Sequence, residues 1–302
     1  MGRSAFVFSG QGDQFPGMGK AFFDRYEEAR EMFLMFDRIR PGTSGQCFYG
    51  TAEELRDTAN TQPCLFAMEL AAAEVLKAHR ILPDAVAGFS LGEVAACTFA
   101  GVFTPAQGFS LVIERGRFMA AASAQTPSFM AAVLKLDGGT VDKICHQVKD
   151  IWAVNFNGPG QTTVAGWPGD QDIFFEKVAA AGGRVIPLEV SGGFHSPLMA
   201  AASARFRRTV RQAETGTPDI PIYSNVTGLP CKEEIVSLLP EQIKRPVLWE
   251  TLVRNMIRDG IDIFIEIGPG STLSGLIRKI DPGVRTYTLS ELPGIVKAVR
   301  SC

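Results

Sequence analysis

The chain has 302 residues, with 30 Lys and Arg against 32 Asp and Glu, so its net charge is −2. That balance excludes the basic excess of a nucleic-acid-binding protein. No apolar run reaches the length of a membrane span, and the length fits two domains or one large α/β unit. Cysteines stand at 47, 64, 97, 145, 231 and 302 with no Cys-x-x-Cys pair, and His79, His146 and His195 share no metal-type spacing with them. Reduced thiols in a cytoplasmic protein without a metal are the expectation. The first residues, Met1-Gly2-Arg3-Ser4-Ala5-Phe6, carry neither a secretory pattern nor, with Phe at position 6, a myristoylation pattern.

In chain order, Ser4–Ser9 reads as a buried strand running into Gly10-Gln11-Gly12-Asp13-Gln14. This loop is not a phosphate loop, because it lacks both the Walker and the Gly-x-Gly-x-x-Gly spacing. Residues 21–40 read as one helix, and Thr51-Ala52-Glu53-Glu54 as a capping box. Gln62–Lys77 reads as an apolar helix entered near Pro63. Ala85-Val86-Ala87 is a short strand, followed by Gly88-Phe89-Ser90-Leu91-Gly92 and a run of small and apolar residues from Val94 to Gly101. Strand, Gly-x-Ser-x-Gly, helix is the pattern of a nucleophile elbow. Its glycines leave room for a strained serine, and the helix N-terminus favours an oxyanion. Phe109–Ala122 is a further helix, with Arg115 and Arg117.

The segment from 125 to 190 changes character. Strands at Phe129–Leu136, Ile151–Phe156, Thr162–Gly166 and Arg184–Val190 alternate with helices at Thr140–Val148 and Asp170–Ala181. The order β-α-β-β-α-β is that of a ferredoxin-like unit. The expected fold is α/β: residues 1–124 and 191–302 form an α/β-hydrolase-like large catalytic domain with a parallel sheet, and residues 125–190 form an inserted ferredoxin-like subdomain. Beyond it, Ser203–Ala213 reads as a basic helix, Ile222-Tyr223-Ser224 as a strand, 241–256 as including a helix, and Ile261–Ile267 as a strand closed by Gly268-Pro269-Gly270. A last strand falls at Arg285–Leu289.

Ser90 needs a base to act as a nucleophile. His79 ends a helix and His146 lies in a polar one. His195, in Gly193-Phe194-His195-Ser196-Pro197 after a strand, is either a locally satisfied loop histidine or that base. No acid between Ser90 and His195 is marked by its flanks, so a backbone carbonyl is a candidate to orient the imidazole, which suits thioester exchange. Arg115 lies in an otherwise apolar helix. It either pairs at the surface with Glu114, leaves the work to Arg117, or faces the cleft as a planar fork for a carboxylate.

These residues together resemble a known family. Gly10-Gln11-Gly12, Gly88 to Glu93, Glu114-Arg115-Gly116-Arg117-Phe118-Met119, Val154 to Gln161, Phe194 to Met199 and Glu266-Ile267-Gly268-Pro269-Gly270 stand in its order over nearly the whole chain. The sequence is similar to malonyl-CoA:acyl-carrier-protein transacylases and the acyltransferase domains of fatty-acid and polyketide synthases. The resemblance implies that Ser90 carries malonyl as an ester and that His195 is base, then acid. It implies an oxyanion hole from the N–H groups of Gln11 and Leu91, a carboxylate clamp at Arg115, and a malonyl-selecting Phe194. It also implies malonyl-CoA and acyl carrier protein as partners, no cofactor and a ping-pong reaction.

A monomer is the default, and fatty-acid synthesis is favoured over a trans-acting polyketide role. A serine acyl-thioester hydrolase and a non-catalytic carrier-docking scaffold are the rivals. Arg205, Arg207, Arg208 and Arg211 form either a solvated face or a docking face for an acidic carrier. The chain departs from the family at Phe89, commonly His, at Asp13, commonly Ser or Ala, and at Leu248, commonly polar. The resemblance implies that the Leu248 carbonyl receives the histidine N–H.

Overall fold

The computed structural model describes residues 2–190, 192–232 and 234–291. In chain order the strands are β1 (Arg3–Phe8), β2 (Ala85–Gly88), β3 (Phe129–Leu134), β4 (Ile151–Gly158), β5 (Gln161–Gly166), β6 (Arg184–Pro187), β7 (Ile222–Tyr223), β8 (Pro230–Cys231), β9 (Ile261–Ile267) and β10 (Arg285–Thr288). The helices that bear on the site are α1 (Thr58–Ala78), α2 (Leu91–Phe99), α3 (Pro105–Gln125), α4 (Ala200–Val210), α5 (Ile235–Gln242), α6 (Trp249–Arg258) and α7 (Thr272–Ile280).

One sheet has the order β10-β9-β1-β2-β7-β8, parallel except for the β7–β8 edge pair. Parallel strands need cover on both faces. In β1, Phe6 and Phe8 point to one face, against Phe99 at 5.4 and 5.9 Å between ring centroids. Ala5 and Val7 point to the other, into the cluster that holds Trp249. The second sheet is antiparallel, β4-β5-β3-β6, the strand order of a ferredoxin-like unit. The fold is therefore mixed α/β, with a parallel sheet and a separate antiparallel one. Val247 N–H donates to Val154 O and Phe156 N–H to Val247 O, each at 2.9 Å, tying β4 to the segment before α6.

Local sequence accounts for most element boundaries, and the differences have identifiable causes. The helix expected over 21–40 is two, Lys20–Arg25 and Glu27–Ile39, because Tyr26 is extended at φ −120° and ψ 130°. The helix expected near Pro63 starts at Thr58. The Asp57 side chain caps it by accepting from Ala59 N–H, so Pro63 sits inside the helix. Strand β6 ends at Pro187, short of Val190. Helices α5 and α7 were not expected as separate elements; α7 starts directly after Gly268-Pro269-Gly270.

The first sheet aims β1, β2 and β9 at one edge, where each ends in a glycine-bearing turn. The β2 turn is closed by contact. A Cβ on Gly88 would lie 1.9 Å from the carbonyl carbon of Gly92, and one on Gly92 would lie 2.3 Å from Phe8 O. Gly88→Ala is expected to cost about 3 kcal/mol or more of stability by overpacking. Urea unfolding checks this, and an unchanged midpoint contradicts it.

Candidate active site

Strand β2 delivers Ser90 at a turn with φ 55° and ψ −103°, a strained geometry for a residue with a side chain. The turn is held from behind. Ser90 N–H donates to Asn225 Oδ1 at 2.8 Å, and Asn225 Nδ2 donates to Gly88 O at 2.6 Å. Asn225 N–H donates in turn to Glu93 Oε1 at 2.7 Å. Glu93, in the first turn of α2, is fully buried, and burial pushes its carboxyl up to about 7 against these hydrogen bonds.

His195 faces Ser90, with Nε2 2.7 Å from Ser90 Oγ. Its Nδ1 lies 2.8 Å from Gln242 O, so the proton belongs on Nδ1 and the Nε2 lone pair is free to accept from the serine. A backbone carbonyl does orient the ring, but it is not that of Leu248. Leu248 caps α6, and its carbonyl is taken by Leu252 N–H at 2.9 Å. Burial pulls the imidazole down to about 4, with the Arg115 charge adding to the shift. His79 and His146 are exposed at helix C-termini, each with Nδ1 on a carbonyl of its own helix.

Arg115 is 1% exposed. Its Nη1 donates to Gln62 Oε1 and one Nη2 to Gln242 Oε1, each at 2.7 Å, while Nη2 also lies 3.2 Å from Ser90 Oγ. Burial pulls the guanidinium down to about 10, opposed by Glu93, so it stays charged at neutral pH. The surface alternatives fall elsewhere: Glu114 pairs with Arg117 at 2.8 Å. Of the four arginines on and just after α4, Arg207 pairs with Glu241 while Arg205, Arg208 and Arg211 are exposed.

Gln11, Leu91 and Phe194 line the same cavity as Ser90, His195 and Arg115, a space of about 100 Å³. Leu91 is the first residue of α2, so its N–H has no acceptor within the helix. The Gln11 side chain is held by Thr58, its Nε2 donating to Thr58 Oγ1 at 3.0 Å. Phe89 packs edge-on against Trp249, with 5.5 Å between centroids. It lines both this cavity and an adjoining one of about 370 Å³ that reaches Asp13 and Asn157.

The site therefore brings together Ser90, His195, Arg115, Gln11, Leu91 and Phe194. The residue that sequence reasoning missed is Gln242. Its carbonyl holds His195 and its Oε1 holds Arg115; its Nε2 donates to Ser90 O at 2.7 Å and to Glu93 Oε2 at 2.6 Å. Asn225 and Gln62 were missed with it. The available signal was weak: a glutamine two residues beyond the apolar run Leu238-Leu239-Pro240.

The acyl transferase domain family matches residues 5–287. The chain is similar to the malonyl CoA-acyl carrier protein transacylase of Bacillus subtilis, at 35% identity over 309 residues, covering 100% of this chain and 98% of that one. It is 36% identical over 308 residues to the Staphylococcus aureus protein of the same name, covering 98% of each. Among solved structures, the Clostridium perfringens malonyl CoA-acyl carrier protein transacylase superposes with a TM-score of 0.95 at 32% identity, covering 99% of this chain and 98% of that one. A malonyl-transacylase in complex with its type II PKS acyl-carrier protein superposes with a TM-score of 0.94 at 30% identity, covering 99% and 100%.

The low position of His195 fixes a pH dependence. The fold prefers the neutral ring, so the stability it contributes is complete above the ordinary value of 6.5 and is lost as pH falls from there towards 4. Nitrogen NMR of the imidazole is expected to show His195 neutral at pH 5.5; a midpoint near 6.5 contradicts it.

Proposed function

Because the chain belongs to the acyl transferase family, we propose that it transfers malonyl from malonyl-CoA to the thiol of an acyl carrier protein through a malonyl-Ser90 ester. The observation that carries this is the position of Ser90 Oγ between His195 Nε2 at 2.7 Å and Arg115 Nη2 at 3.2 Å. Base, nucleophile and a cation for a carboxylate converge on one oxygen.

In the first half-reaction His195 Nε2 takes the Ser90 proton as Oγ attacks the thioester carbonyl. The oxyanion faces the N–H groups of Gln11 and Leu91, donors that need no rearrangement. The intermediate collapses, the C–S bond breaks, and His195 returns the proton to the departing CoA thiol. In the second half-reaction the carrier thiol gives its proton to His195 and attacks the ester, and Ser90 regains the proton. One site serves both directions, as a ping-pong exchange requires. A neutral histidine held by a carbonyl is base enough for a thioester.

Arg115 gives the site its choice of acyl group. The planar fork meets a terminal carboxylate bidentately, with Phe194 on the cavity wall beside it. We read residues 1–124 and 191–302 as the catalytic domain and 125–190 as an inserted subdomain, in keeping with their separate sheets. One chain supplies every group named, so a monomer suffices. Among the described residues no helix is long and apolar enough to cross a membrane, and the described cysteines are free thiols. Both fit a cytoplasmic enzyme supplying fatty-acid synthesis.

Labelled malonyl-CoA incubated with carrier protein is expected to label the carrier, and Ser90→Ala to abolish the transfer. Label reaching only water would make the chain a thioester hydrolase, and full transfer by Ser90→Ala would leave a docking scaffold. Arg115→Ala is expected to cost malonyl transfer about 2–4 kcal/mol more than acetyl transfer. Equal losses for both acyl groups would rule out the clamp.

A further inference from the structure

Gln11 stands between two glycines, so its own backbone does little to fix the direction of its N–H. Gly12 has φ 125° with nothing within 4 Å of a would-be Cβ. The loop is pinned by side chains: Gly12 N–H donates to Gln14 Oε1 at 2.7 Å, Gln11 Nε2 donates to Thr58 Oγ1, and further anchors lie on either side. Upstream, Ser9 N–H donates to Ile267 O at 3.1 Å and Ser9 Oγ to Glu69 Oε1 at 2.7 Å. Downstream, Thr272 Oγ1 donates to Asp13 Oδ1. The Gly268-Pro269-Gly270 turn fills the space between these two anchors. A Cβ on Gly268 would lie 2.3 Å from Ser9 Oγ, and one on Gly270 would lie 2.8 Å from Asp13 Cγ.

Thr272 is a firm post because it opens α7. The next two N–H groups, of Leu273 and Ser274, are held by buried Glu266 at 3.0 and 2.8 Å. The downstream end of the loop is thus tied through Asp13 to a helix start that is itself tied to β9.

We propose that Asp13 is a positioning residue for acyl transfer: its carboxyl, tied to Thr272, fixes the Gly10–Gly12 backbone so that the Gln11 N–H faces the oxyanion. This rests on Gln11 being an oxyanion donor, as proposed above. Asp13 also lines the wider of the two cavities, so its alternative role is contact with substrate. The two roles separate in kinetics, since an oxyanion donor acts in the transition state and a contact acts in binding. Burial pushes the Asp13 carboxyl up to about 6, the Thr272 hydrogen bond opposing and Glu266 adding. An amide of the same shape keeps the Oδ1 that accepts from Thr272 while giving up the carboxylate charge.

The test is rapid mixing of the full chain with malonyl-CoA, following CoA release as Ser90 is acylated. Asp13→Ala and Thr272→Val are each expected to slow acylation about 10–100-fold at unchanged KM. Asp13→Asn, whose Oδ1 still accepts from Thr272, is expected to restore the parent rate. The double variant Asp13→Ala/Thr272→Val is expected to be no slower than either single one. If Asp13→Ala does not fold, Thr272→Val and Asp13→Asn carry the same comparison. The proposal is overturned by a loss confined to KM, by an Asp13→Asn variant as slow as Thr272→Val, or by losses that multiply in the double variant. A parent chain that releases no CoA, or a Ser90→Ala variant that releases it as fast, sinks the acyl-transfer reading instead. A parent that acylates, matched by Asp13→Ala, sinks only the role of Asp13.

Discussion

The Gln242 amide is the joint on which the site depends. The Arg115 guanidinium and the Glu93 carboxyl, which burial pushes up to about 7, are buried in the same core, and the amide stands between them, accepting from one and donating to the other. A buried charge without a partner is costly, and a chain of satisfied hydrogen bonds from guanidinium to carboxyl offsets part of that cost. The same residue offers its carbonyl to His195, so one helix end holds both the imidazole and the guanidinium. Helix α5 is held in turn by α4, through Ser203 Oγ on Pro240 O at 2.7 Å.

This explains what was legible in the sequence. Ser90 announces itself because the turn that carries it demands glycine at 88 and 92, and that demand is written in adjacent letters. His195 and Arg115 are visible because a charged or titratable residue in an apolar or glycine-rich setting stands out. Gln242 is not visible, because its work is done by a carbonyl and an amide, groups no motif records, and its partner Ser90 lies 152 residues away in sequence. Naming Leu248 as the acceptor for the histidine failed for a related reason. The residue sits at the start of a helix, and the helix claims its carbonyl, a fact set by the boundary of α6 rather than by residue type.

The fold divides along the same line. Strand β5, expected at Thr162–Gly166, lies at Gln161–Gly166, and β9 falls on its expected span. Short apolar runs between glycines leave few alternatives. The break at Tyr26 is silent because both halves keep one helical period, with Phe22, Phe23, Phe33 and Phe36 all turned to the core. The early start of α1 is a contest between two signals. A side-chain cap at Asp57 outweighs the preference of Pro63 for the first turn, and so moves Gln62 from the expected first position of the helix to its interior, where its side chain reaches Arg115.

Ser90 and His195 share one more property. Among the described residues, only Arg80, Ser90, Lys135, Asp150 and His195 have positive φ without being glycine. Two of these five are the pair whose side chains meet. Glycine would relax both turns at the loss of the two side chains that meet. The retained side chains at these two angles act as a watermark: backbone angles and residue names alone, without any likeness to other proteins, narrow the described residues to five strained positions, and these two are among them.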